Sequence, residues 1–272
     1  MTTTQIPRRP KTRLDAALVE RGLAPSREKA ARLILAGAVS VDGRRVDKAG
    51  TLVAAAGRIE TASGPRYVSR GGDKLVHALA AFGVAPRGRV CIDVGASTGG
   101  FTHCLLEGGA TRVYAVDVGA GQLDAGLRAD PRVQVMEGVN ARSLAPTACP
   151  EPPSLATVDV SFISLEKVLP AVLGVLVEGG EAVVLVKPQF EVGKGQVGKG
   201  GVVRDPAQHQ QVLERVSAWC ENAGWPARGV TASPLVGPKG NREFFLHLAE
   251  GRGLADLAAR IAGVVFPADS RP

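Results

Sequence analysis

The rhythm of hydrophobic positions changes once along the chain. Near the amino terminus, Leu14, Leu18 and Val19 of RLDAALVERG share one helical face, and Gly22 stops the helix. Ser26 is placed to cap a second helix, REKAARLILAG, which ends at Gly37. AVSVDGRRV follows, and Asp42-Gly43 between two short apolar runs predicts a tight hairpin. The segment 12–60 therefore predicts a small α+β domain of two short helices and a hairpin. Residues 1–11 carry Arg8, Arg9 and Lys11 among polar residues, the pattern of a disordered basic arm. The stretch TASGPRYVSRGGDK, 61–74, has the Gly, Ser and Pro density of a linker.

From residue 75 to 272 apolar runs alternate with helical periodicity. VCIDVG (90–95), RVYAVDVG (112–119), VQVMEG (133–138), LATVDVSF (155–162), EAVVLVKPQF (181–190) and FFLHLA (244–249) predict strands. GGFTHCLLEGG opens a helix, and 165–177 is expected to be helical. Asp205-Pro206 supplies a cap and first residue for a helix running towards Gly224. This alternation implies a mostly parallel sheet with helices on both faces, an α/β domain.

Composition narrows the function classes. Of 272 residues, 45% are hydrophobic, enough for a packed core, which excludes whole-chain disorder. Cys91, Cys104, Cys149 and Cys220 stand at no C-x-x-C spacing, so no metal site is expected, only free thiols. The start of the chain has no signal-peptide pattern, and the longest apolar run, 168–177, contains Pro170 and Gly174 and is too short for a bilayer. A cytoplasmic protein without membrane contact is expected. Aromatics are only 4%, too few to suggest a base-stacking platform. The charge is unevenly placed. Residues 1–74 hold 15 Lys and Arg against 7 Asp and Glu, net +8, while 75–272 hold 18 against 19, net −1. A salt-sensitive grip on phosphates belongs to the small first domain.

The strongest chemical motif is CIDVGASTGGF, 91–101: a strand ending at Asp93, a glycine-rich turn, then a helix start. Glycine lets a backbone approach a ligand closely, and ligands of open α/β sheets lie beyond the carboxyl ends of strands. Asp117 ends the next strand, where a carboxylate can accept from two ribose hydroxyls. The spacing lacks the G-x-G-x-x-G of dinucleotide enzymes; D-x-G-x-x-x-G-G with a later Asp is similar to the S-adenosylmethionine loop of class I methyltransferases. A purely structural strand–helix turn explains the glycines but not the distal acid. GKGQVGK, 193–199, approaches a P-loop, but Gly200 stands where Ser or Thr must hold magnesium. It predicts a loop beside the site, with Lys194 and Lys199 able to meet phosphates; a solvated loop accounts for it equally well.

A second constellation is scattered in sequence. Asp159 lies at the end of the fourth predicted strand and Lys187 at the end of the fifth, so both belong to the sheet edge of the glycine loop. A lysine there suits proton abstraction. Lys74 lies in SRGGDKL and Glu243 in GPKGNREFF. Singly each would be an ordinary surface charge; together they resemble the Lys-Asp-Lys-Glu tetrad of FtsJ/RrmJ-like RNA ribose 2′-O-methyltransferases.

The resemblance extends over about residues 13–250. RLDAALVERGLAPSREKAARLILAGAVSVDG resembles the ribosomal-protein-S-four-type RNA-binding domain. YVSRGGDKL, DVGASTGGFT, VYAVDVGAGQL, DVSFISL, VKPQFEVGKG and GPKGNREFFLHL, in that order, resemble the TlyA, or hemolysin A, family. The resemblance implies a class I, Rossmann-like methyltransferase with a mostly parallel seven-stranded sheet. It implies S-adenosyl-L-methionine as cofactor and 2′-O-methylation of cytidine in small- and large-subunit rRNA, linked to capreomycin and viomycin sensitivity. The intact segment from Arg13 favours the type acting on both subunits. Lys74, Asp159, Lys187 and Glu243 match the catalytic tetrad, and Asp93, Gly95, Ser97 and Gly99 the cofactor loop. Asp117 matches the ribose-binding acid, and Asn140 the adenine side. Arg13, Arg27, Lys29, Arg32, Arg44, Arg45 and Arg70 are the candidate RNA contacts. Within SRGGDKL, Gly72-Asp73 departs from the family pattern and carries no expected constraint. A monomer is expected. Two other classes are weighed: a membrane-active haemolysin, which no apolar span supports, and a non-catalytic rRNA assembly factor, against which the intact tetrad argues.

Overall fold

The computed structural model describes residues 11–35, 37–61, 66–193, 195–198, 200–237 and 239–267. The arm expected over 1–11, apart from Lys11, lies outside these residues, as do Lys194 and Lys199. Two compact units divide the chain, Met1–Arg66 and Tyr67–Pro272.

In the first unit β1 (Lys11–Arg13) leads directly into α1 (Leu14–Glu20), followed by α2 (Arg27–Leu35). Then come β2 (Val39–Val41), β3 (Arg44–Arg45), β4 (Leu52–Ala54) and β5 (Ile59–Thr61). Lys11 is thus a strand residue, paired with Ala54, rather than the end of an arm. Ser26 accepts the Lys29 amide at 3.2 Å and caps α2. The β2–β3 hairpin turns on Asp42 and Gly43, at φ 49° and 76°. Two successive left-handed residues match the twist of the strands they join. Leu14, Leu18, Ala30, Ile34, Val39 and Val53 close a small core.

The second unit opens with α3 (Gly71–Phe82), β6 (Val90–Val94), α4 (Gly100–Glu107), β7 (Arg112–Asp117), α5 (Ala125–Ala129) and β8 (Val133–Glu137). It continues with β9 (Leu155–Val158), α6 (Leu169–Leu173), β10 (Glu181–Val186) and α7 (Pro188–Glu191). It closes with α8 (Pro206–Asn222), β11 (Ala227–Ala232), β12 (Phe244–Ala249) and α9 (Leu257–Val265). The seven strands lie in the order β11-β12-β10-β9-β6-β7-β8. β12 runs opposite to the other six, antiparallel to both β10 and β11. Ile92, Val94, Val184 and Val186 pack on one face, and Cys91, Val183 and Leu185 on the other. Strands covered on both faces read as unbroken apolar runs, as AVVLV does. From β6 the chain builds β7 and β8 to one side, then crosses to β9 on the other. The β6–β9 junction is therefore the switch point where an open α/β sheet binds ligands.

The structure departs from the sequence pattern in informative places. Residues 71–74 are not linker but the first turn of α3. Gly72 is tightly constrained: a Cβ there would stand 2.0 Å from the Tyr67 ring. β9 stops at Val158, so 159–162 is loop, and β10 stops at Val186 because Pro188 opens α7. The stretch 165–177 breaks into a 3₁₀ turn and α6, whose first turn holds Pro170 and whose end is Gly174. β11 and α9 lack a strong pattern; their burial is set by β12 and α8, distant in sequence. Among the described residues no helix is long and apolar enough to cross a membrane.

Gly95, after β6, has φ 88°, and a Cβ there would lie 2.4 Å from the Asp159 carbonyl oxygen. Gly95→Ala should lower the stability of this unit by about 1–3 kcal/mol, read as a fall in its denaturation midpoint; an unchanged midpoint would refute the close approach.

Candidate active site

At the carboxyl edge of the sheet a cavity of about 500 Å³ opens over β6, β7 and β9. Its walls include Gly95, Ser97, Asp117, Gln122, Asn140, Asp159 and Phe162, with Val94, Val116, Val139 and Ile163 apolar among them. Polar groups above an apolar floor suit a nucleoside carrying a charged tail. Asp117 ties two loops together: Oδ2 accepts the Ser97 amide at 2.8 Å and Oδ1 the Gly119 amide at 2.7 Å. Ser97, at φ 49°, is held in the left-handed region by that bond. Asn140 lines the cavity while its Oδ1 caps the next turn, accepting the Arg142 amide at 3.1 Å. Gly99 caps α4 at φ 96° with Leu127 against it, so it shapes the loop from behind.

Asp93 is not at the cavity surface. It is fully buried, and its oxygens accept Thr102 of α4 at 2.7 Å and Thr157 of β9 at 3.2 Å. It fastens the start of α4 to β9 from beneath the cavity. Burial pushes its carboxyl up to about 7, the Thr102 hydrogen bond opposing the shift.

The tetrad assembles in two pairs at the same edge. Lys74 Nζ lies 2.5 Å from Glu243 Oε2, both side chains buried. Lys187 Nζ lies 2.5 Å from Asp159 Oδ1, an ion pair off the hydrogen-bond axis, and donates to Ser161 Oγ at 2.9 Å. Val186 pairs with Phe244 across the sheet, which makes Lys187 and Glu243 neighbours at its end. A recess of about 220 Å³ holds Arg70, Lys74 and Asp159 and shares Gly95 and Ser97 with the main cavity. The pairs thus stand beside the main cavity, and Arg70 is exposed.

The candidate RNA contacts of the first unit divide. Arg13 grips Asp15 with two bonds, at 3.0 and 2.9 Å, and Arg27 adds a third at 3.1 Å. The Arg13 hydrogen bond holds Asp15 well below the usual carboxylate range. These two arginines therefore join β1, α1 and α2, a structural duty the pattern did not foretell. Arg32 pairs with Glu28 one turn away. Lys29, Arg44 and Arg45 are exposed. Gln122, Arg142, Ser161 and Phe162 at the cavity were not anticipated; DVSFISL held the last two in plain view, but a strand was expected there. Phe162 has φ 63° and is 91% exposed, its ring 4.9 Å from Phe190. An aromatic residue in that conformation is strained and must be held. Among the described residues no cluster of three or more His, Cys, Asp or Glu could hold a metal ion. All four cysteines are buried, and none is in a disulfide.

Together the fold and the site define a class I methyltransferase, a class whose methyl donor is S-adenosylmethionine. Residues 67–250 match the FtsJ-like methyltransferase family, and residues 12–59 match the S4 domain. The 16S/23S rRNA (cytidine-2′-O)-methyltransferase TlyA of Mycobacterium tuberculosis is 52% identical over 88% of this chain and 90% of its own. Hemolysin A of Brachyspira hyodysenteriae is 41% identical over 86% and 98%. A solved structure from Streptococcus thermophilus, a candidate hemolysin, superposes with a TM-score of 0.71 at 42% identity, over 94% of this chain and 96% of that one. The chain belongs to the TlyA family, in which an S4 domain precedes an FtsJ-like methyltransferase domain.

Asp93 gives the site a pH signature. Its folded value, about 7, stands above the ordinary 3.8. Its contribution to stability is therefore complete below pH 3.8 and is lost as pH rises through about 7. Asp93→Asn should remove that component, so the variant's melting temperature should fall less than the wild type's between mildly acid and mildly alkaline pH. Parallel pH curves would show that Asp93 does not titrate there.

Proposed function

We propose that this chain transfers a methyl group from S-adenosyl-L-methionine to the 2′-hydroxyl of cytidine in the rRNA of both ribosomal subunits. It does so as a monomer in the cytoplasm, and the modification raises sensitivity to capreomycin and viomycin. The observation that carries this is the meeting of two lysine–carboxylate pairs, Lys187–Asp159 and Lys74–Glu243, beside the glycine-loop cavity. The names of the curated relatives and the basic S4-type domain support rRNA as acceptor.

The cofactor supplies an electrophilic methyl group whose leaving group is a neutral thioether. The rest falls to the chain. Of the residues lining the cavity, Asp117 and Asn140 take the nucleoside of the cofactor, and the loop of Gly95 and Ser97 takes its tail. Lys187, held beside Asp159, contacts the ribose oxygen and fixes it in line with the methyl carbon. It takes the proton that the hydroxyl loses as the new O–C bond forms and the methyl–sulfur bond breaks. Lys74 positions the same hydroxyl from the other side, and Glu243 holds Lys74. Orientation of this kind accounts for much of the rate when the leaving group is already good. The first unit supplies phosphate grip, screened by salt.

Lys187→Ala should leave cofactor affinity nearly unchanged and slow methyl transfer by about 10²–10⁴-fold. Full transfer by that variant would sink the assignment. Removing residues 1–60 should abolish methylation of ribosomal subunits while cofactor binding persists; a normal rate would refute the division of labour. The deciding experiment incubates the protein with separate subunits and labelled S-adenosylmethionine and maps the label. Label on a base, or on no RNA at all, overturns the reading.

A further inference from the structure

The loop 159–163 carries Asp159, Ser161 and the strained Phe162, so something must hold its far end. Its near end is fixed by the sheet, where the Asp159 amide donates to Val94. At the far end both oxygens of Glu191 are engaged. Oε2 accepts the Ser164 hydroxyl at 2.8 Å, and Oε1 accepts the Leu165 amide at 2.8 Å. Glu191 is the last residue of α7, the turn that begins immediately after Lys187. One buried carboxylate therefore staples the element that follows Lys187 to the loop that starts at Asp159.

The carboxylate is nearly inaccessible, its side chain 1% exposed. Its charge is answered by Arg215 of α8, with Nη2 3.5 Å from Oε2. Arg215 also donates to the Glu191 carbonyl and lies 3.4 Å from Glu166, so the brace extends to the long helix behind the site. A buried, paired carboxylate is costly, and an apolar side chain of that size would pack at less expense. What it provides is two acceptors at a fixed spacing.

We propose that Glu191 is a positioning residue for the methyl transfer, setting the Lys187–Asp159 geometry through Ser164 and Leu165 without touching either reacting group. This rests on the proposed function for the identity of the reaction, not for the brace itself. Glutamine at 191 has the same shape but one acceptor oxygen; with that oxygen on the Leu165 N–H, its amide nitrogen faces Ser164, whose hydroxyl must turn from donor to acceptor to keep the bond. The neutral side chain also removes one of the two carboxylates beside Arg215, leaving Glu166.

The test compares full-length wild type, Glu191→Gln, Ser164→Ala and the double variant. Glu191→Gln should lower kcat by about 10- to 100-fold, with the Kd for S-adenosylmethionine and the KM for ribosomal subunits unchanged. Hydrogen exchange of the amides from Ser161 to Glu166 should quicken in the same variant while β6 and β10 stay protected. Ser164→Ala, which removes one bond, should cost about 3- to 10-fold, and less than that in the Glu191→Gln background. It keeps the proposal falsifiable where Glu191→Gln folds poorly. A normal kcat, or a slow kcat with unchanged exchange in this loop, overturns the proposal. So does weakened cofactor binding with normal turnover per folded site, which marks a role in stability alone. The two readings separate: labelled methyl found on a base refutes the acceptor assignment, while exchange and relative kcat still decide the brace.

Discussion

The chemistry of this molecule depends on how closely β6 and β9 approach at their carboxyl ends. Gly95 lies against the Asp159 carbonyl at a distance no side chain permits. That contact brings the glycine loop and Asp159 to one point of the sheet. Beneath it, Asp93 bridges Thr102 and Thr157 and so locks α4 to the strand that leads into Asp159. The cavity, the ion pairs and the strained residues are all arranged around that junction. It is also the switch point of the sheet, the place where neighbouring connections diverge and leave room for a ligand.

Charge is used differently in the two units. In the catalytic unit nearly every important charge is paired and shielded: Lys74 with Glu243, Lys187 with Asp159, Glu191 with Arg215. Burying such pairs gains little stability, because desolvation offsets attraction. Their benefit is fixed geometry in a medium of low polarizability, where an oriented donor acts strongly on a nearby oxygen. The positive φ of Ser97 and Phe162 belongs to the same economy, strain held in place at the edge where substrates meet. In the first unit the net positive charge lies mainly at the surface. Arg13 and Arg27 are exposed there too, yet Asp15 recruits them to tie the elements together.

Much of the fold was legible in the sequence because its signals are local. Asp42-Gly43 dictated its hairpin, Ser26 and Asp205 their helix starts, and the apolar runs their strands. The expected lengths failed where local pattern competes with geometry. LATVDVSF reads as one strand, yet the ladder ends at Val158, because the loop must turn out to present Asp159 and Ser161. RGGDKL reads as linker, yet it starts α3, because packing on Tyr67 makes Gly72 a contact surface rather than a hinge.

The sequence by itself determined the two units, the alternation of strand and helix, the edge on which the chemistry lies and the residue types that resemble the tetrad. All of these follow from periodicity and from residues adjacent in the chain. Only the tertiary structure decided which lysine pairs with which carboxylate, that Asp93 works from beneath the site, and that two arginines of the basic unit are held by Asp15. It alone revealed Glu191, one acid among many in the sequence. Each of these is a contact between residues far apart in the chain or a matter of burial, and no local pattern encodes either.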